Sequence, residues 1–137
     1  MNVMRFAFVI GLIYLIVGIA GFVPPLLQSP APKDPGLAVE ALHGRLLGLF
    51  PVNVLHTLVH LAIGAWGLFA ARTAGAAIFY ARALAVIYGL LAVMGLIPGL
   101  HTMFGLVPLH SHDVWLHAGT AMLAAYFGWA NPGVQTR

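Results

Sequence analysis

The chain contains no cysteine, and only 7% of its 137 residues are charged. The first absence excludes disulfides, thiolate metal sites, cysteine-held iron–sulfur clusters and cysteine nucleophiles together. The second excludes a water-facing surface of ordinary composition, because 61% of the residues are hydrophobic and three acidic side chains cannot solvate a globule of this size. Six basic residues give a net charge of +3, but they are scattered and form no stripe, so nucleic acid is not implied. No Gly-rich turn precedes a lysine, which removes a phosphate loop. The serines and threonines have no base placed to activate them. This composition fits a bilayer.

What is abundant is the long apolar run. Four of them, at about 4–23, 51–71, 77–97 and 111–130, approach or reach the ~20 residues that cross hydrocarbon. They stop at Pro24-Pro25, Arg72-Thr73-Ala74-Gly75, Pro98-Gly99 and Asn131-Pro132-Gly133. The first run is longer than the roughly 7–15 residues of a signal-peptide core, so a retained helix is expected. A proline-rich loop over 28–35 leads to residues 36–50, where Glu40, His43 and Arg45 interrupt an apolar pattern. That segment predicts a short amphipathic helix on the membrane surface, with Asp34 as N-cap and Pro35 at its first position. Arg82 is placed to snorkel near the start of the third run. Trp115 and Trp129 read as interfacial anchors.

The halves echo one another. Gly48-Leu49-Phe50-Pro51 matches Gly105-Leu106-Val107-Pro108, and the ninth residue after each proline is a histidine, His60 or His117. The fifth is His56 in one copy and Asp113 in the other. Ile13-Tyr14, Gly21 and Pro24 likewise match Ile87-Tyr88, Gly95 and Pro98. The expected fold is an all-α integral membrane four-helix bundle in a single domain, 1–137. It would consist of two tandem helical hairpins in a parallel repeat, related by a pseudo-two-fold axis along the membrane normal. Arg5, Arg72, Arg82 and Arg137 share one side against Lys33 and Arg45, which predicts both termini in the cytoplasm and all seven histidines toward the outer face.

His56 and His60 lie one turn, about 6 Å, apart on one helix face, and Asp113 and His117 repeat the spacing. Ionisable groups in a membrane helix cost several kcal/mol unless paired, so the four call for a partner. In one reading His56, His60, Asp113 and His117 bind a transition metal, zinc, copper or iron, with Tyr14 and Tyr88 orienting the rings. In a second, His60 and His117 are axial ligands of a b-type haem, with Gly64, Gly67, Gly119 and Ala121 leaving room for the porphyrin. In a third, the same side chains form a buried hydrogen-bond network in a structural or accessory subunit of a membrane complex. The metal reading is the first expectation. His101, His110 and His112 read as loop residues able to feed a metal inward or respond to external pH, and His43 as a surface residue. No reaction follows from these residues, and a membrane-protein partner or second copy stays open beside the lipid.

Three phrases carry a resemblance: Phe8-Val-Ile-Gly-Leu-Ile-Tyr-Leu-Ile-Val-Gly18, Leu47-Gly-Leu-Phe-Pro-Val-Asn-Val-Leu-His-Thr-Leu-Val-His-Leu61 and Asp113-Val-Trp-Leu-His117. In these the chain resembles the small bacterial four-helix membrane proteins grouped as domain of unknown function 4383. The resemblance implies four helices and a bacterial plasma (inner) membrane, and brings no activity. It marks Asn53, His56, His60, Asp113 and His117 as signature positions, which adds Asn53 to the supporting residues of the site.

Overall fold

The computed structural model describes residues 1–130, and these form four α-helices and a small sheet. Helix α1 (Val3–Ala20) starts where the Asn2 side chain accepts a hydrogen bond from the Arg5 amide at 2.9 Å. Helix α2 (Val54–Ala70) is capped by Asn53, and α3 (Ala74–Leu96) by Thr73. Helix α4 (His112–Ala125) continues into a π-helical turn over Tyr126–Ala130. The expected stop at Asn131-Pro132-Gly133, and Arg137, lie outside the described residues.

The helices pack mainly as two pairs, α1 along α2 and α3 along α4, with α3 also touching α1 and α2. The α1–α2 pair depends on glycine, because a Cβ on Gly64 would lie 2.6 Å from the Leu15 amide nitrogen and 2.8 Å from the Gly11 carbonyl. Backbone cannot yield there, so the small residues set the separation. The core between the pairs is built on Phe6, Tyr80, Leu84 and Tyr88, with Phe6 stacked on Phe127 at 4.6 Å. Outward, α1 exposes Phe8, Leu12, Ile16 and Ile19, and α3 exposes Phe79, Val86, Leu90 and Val93. Helices apolar on both faces ask for an apolar surround. Among the described residues two helices, α1 and α3, are long and apolar enough to cross a membrane, while α2 with 17 residues is shorter. It is shorter because Pro51 and Val52 are taken into a strand and Asn53 into the cap.

The amphipathic helix expected over 36–50 is absent. The segment contributes β2 (Gly44–Leu46), which joins β1 (Leu27–Gln28) and β3 (Phe50–Val52) in an antiparallel sheet of order β1-β2-β3. Leu42 and Leu47 have positive φ values of 55° and 54°, a left-handed conformation no α-helix contains. Asp34 is not a helix cap either. Its carboxylate accepts from Arg45 Nε and the Ala31 amide, both at 2.8 Å, and from a second guanidinium nitrogen of Arg45. That two-point pair ties the proline-rich loop to β2. Arg82 does not snorkel freely. It sits about two turns into α3, its Nε donates to the Gly128 carbonyl at 2.9 Å and its guanidinium lies 5.4 Å from the centre of the Trp129 ring.

Two outcomes follow. Gly64→Ala should lower stability by about 1–3 kcal/mol, the ordinary cost of overpacking, while Gly119→Ala, whose Cβ would meet nothing within 4 Å, should be neutral or slightly stabilising; thermal melts in detergent check the pair. The Arg45 guanidinium holds the Asp34 carboxyl below the usual carboxylate range, against a smaller opposing effect of burial. A depressed folded-state value means a contribution that is full above about pH 4 and is lost as pH falls through that value. Protection of the Gly44–Leu46 amides, measured against the intrinsic exchange rate at each pH, should therefore fall below about pH 4 in the wild type, and should be low already at neutral pH in Arg45→Met.

Candidate functional site: a buried histidine and aspartate cluster

The site begins at Asn53. Its Oδ1 accepts from the His56 amide at 3.0 Å, and its Nδ2 donates to the carbonyls of Val39 at 3.0 Å and Leu106 at 2.7 Å. One fully buried amide thereby starts α2, fixes the backbone that carries His56 and holds the two loops that lead into α2 and α4. Asn53 thus makes no hydrogen bond to an imidazole ring and acts through the backbone.

From that start the helical period turns His56 and His60 inward, and α4 turns Asp113 and His117 to meet them. All four are buried, at 3, 6, 2 and 2% exposure respectively. His56, Asp113 and His117 each offer a ligand atom, and these atoms lie within 4.8 Å of one another. His56 Nδ1 and Asp113 Oδ2 are 3.7 Å apart, beyond hydrogen-bonding distance. Those two atoms and His117 Nδ1 have no hydrogen-bond partner. Donors on a tetrahedral ion with bonds of about 2.0–2.1 Å stand about 3.3 Å apart, so small side-chain rotations would close the group on an ion.

His60 stands beside this group. Its ring packs on His56 at 4.5 Å between centroids and on Tyr14 at 5.3 Å. Tyr88 packs on His117 at 5.1 Å, and the two tyrosines meet at 5.5 Å. These five rings form one contiguous cluster, closed by His56 and His117 at 6.2 Å. The space expected for a porphyrin at Gly64 and Gly67 is taken, because the α1 backbone at Gly11 and Leu15 fills the first and Ala7, Gly11 and Tyr80 the second. His56, in contact with both His60 and His117, further obstructs a flat macrocycle between them.

The outer histidines do not join the group. His101 and His110 rings meet at 6.0 Å, His112 packs edge-on to Phe50, and burial pushes half-buried His110 below the ordinary histidine value, leaving it neutral at pH 7. Sequence reasoning missed the Asp34–Arg45 pair and the sheet it secures. The positions of Gly44, Gly48 and Pro51 were the available signal, since glycine and proline favour turns and strand edges over helix.

Fold and site together define a class: a mostly helical protein with two helices able to span a membrane and a buried His/Asp cluster between its second and fourth helices. The chain belongs to the family described as domain of unknown function 4383, whose model matches residues 4–130. No curated protein and no solved structure matches it.

Asn53→Ala should cost about 1–3 kcal/mol by removing a helix cap and leaving two carbonyls unsatisfied. Asn53→Asp keeps the cap acceptor but cannot donate, so it should rescue little; melting of both variants decides between a positioning amide and a replaceable cap.

Proposed function

We propose that the chain is an integral membrane four-helix bundle that binds one transition-metal ion through His56, Asp113 and His117, with His60 adjacent. The observation that carries this reading is the convergence of three buried side chains of the right donor chemistry, each with a buried polar atom that has no hydrogen-bond partner. A hydrogen-bond network would instead have satisfied these atoms, because buried polar groups in folded proteins are nearly always paired. Two imidazoles and one carboxylate suit zinc or non-haem iron and accommodate copper, and they leave coordination positions open. Tyr14 and Tyr88 pack against His60 and His117 and restrict their rings.

The bilayer setting is supported by α1 and α3 and by the apolar residues that all the helices turn outward. The tandem-repeat reading gains support from the two near-equal pairs, Tyr14 with His60 and Tyr88 with His117. In this proposal Arg5, Arg72 and Arg82 mark the cytoplasmic side and the sheet bearing Arg45 covers the outer end.

Detergent-purified protein, stripped with chelator and reloaded, should hold one zinc, copper or iron per chain by elemental analysis, and His56→Ala and Asp113→Ala should hold none. Metal should raise the melting temperature, by about 2.7 kcal/mol of added stability at a hundredfold excess over Kd. Affinity should fall as pH drops, because the ligands must be deprotonated. No metal-dependent shift, together with apolar double variants as stable as the wild type, would contradict the metal site and leave a structural subunit.

A further inference from the structure

Between α1 and α4 lies a cleft of about 470 Å³ that adjoins the metal-donor cluster and shares Asp113 with it. Ile13 and Val17 form one wall, Leu116 and Leu123 the other, and Phe50 of β3 reaches over one end. The helices close on one another at the opposite end, where Phe6 stacks on Phe127. At the back the lining becomes polar, with Tyr14, His60, Asp113 and Thr120. Asp113 is 2% exposed, and its Oδ2 has no partner. The mouth faces sideways, past Ile13 and Leu123, which are 48% and 54% exposed on the apolar outer surface.

A side-opening apolar slot in a bilayer protein is entered from the lipid phase, and its volume falls in the range of small-molecule sites. A plain acyl chain would match the walls but leave the polar back unpaired, at a cost for each buried group. A phospholipid headgroup brings charge for which the cleft offers no cation. A flat neutral head bearing oxygens on an apolar tail meets both demands. Its carbonyls accept from the hydroxyls of Tyr14 and Thr120 or from the His60 ring, its hydroxyls in the reduced form donate to Asp113, and its ring lies among aromatic side chains. We infer that the α1–α4 cleft is a binding site for a long-chain quinone, with the ring at Tyr14, His60, Asp113 and Thr120 and the tail leaving toward lipid. This inference takes only the bilayer setting from the proposed function and does not require the metal.

Trp115 lines the cleft and reports on it, since quinones quench tryptophan fluorescence. Decyl-benzoquinone titrated into the protein in nanodiscs should quench saturably at one per chain, and Trp115→Phe should remove that component. Gly119→Phe should raise the half-saturating concentration at least about tenfold, the value of one good contact. Gly119 lines the cleft and a Cβ there meets nothing within 4 Å, so the new ring enters the slot without displacing backbone. Ile13→Trp, at the mouth, is a second blocking variant should the first fail to fold. Decylbenzene, with the ring and tail but no oxygens, should compete about tenfold more weakly. Quenching that is linear in quinone, that survives both blocking variants, or that decylbenzene competes equally well would overturn the inference and leave a groove filled by bilayer lipid. Metal content measured on the same samples separates the two proposals: Gly119→Phe should retain its metal, and loss of metal binding in all samples with saturable quenching intact would fail the metal reading alone.

Discussion

An aspartate and three imidazoles enclosed among apolar helices must be satisfied by one another, by a ligand or by an ion, and much of this fold serves that constraint. Asn53 sets the start of α2 and with it the rotation that brings His56 and His60 inward. The Gly11–Gly64 contact draws α1 close enough for Tyr14 to reach His60. Tyr88 does the same for His117 from α3. The result is tight around His60 and unfinished around His56, Asp113 and His117, each of which keeps a buried polar atom without a hydrogen-bond partner. An arrangement that is rigid in its surroundings and unpaired at its centre is what a ligand-holding site requires.

The parts that were legible in the sequence were those with a period. Four-residue spacing on a helix fixes a shared face, so His56 with His60, and Asp113 with His117, could be read as pairs before any coordinates. Their distance from Pro51 and Pro108 aligned the pairs across the chain. The separation of His60 from the three-donor group was not legible, because it depends on where Tyr14 pushes its ring. Gly64 and Gly67 read equally well as space for a cofactor or as helix contacts, and only the approach of α1 decides for contacts.

The sheet was missed for a physical reason. Strands of two or three residues carry no alternation to detect, and residues 36–50 mix Leu, Glu, His and Arg in a way that imitates an amphipathic helix. What selects the sheet is non-local: the Asp34–Arg45 pair and the left-handed turns at Leu42 and Leu47. Its consequence is to shape the site, because Leu46, Phe50 and Val52 line the cleft beside the cluster. A surface helix would have covered neither.

The central claim is that His56, Asp113 and His117 hold an ion directly. X-ray absorption at the edge of the bound metal tests it most directly, because imidazole rings add characteristic outer-shell scattering to a first shell of nitrogen and oxygen, and a chain without cysteine can supply no thiolate. The account predicts a light-atom first shell at about 2.0–2.2 Å with scattering from two histidines, and no bound metal in His117→Ala. A spectrum of metal surrounded by water alone, unchanged in that variant, would contradict it.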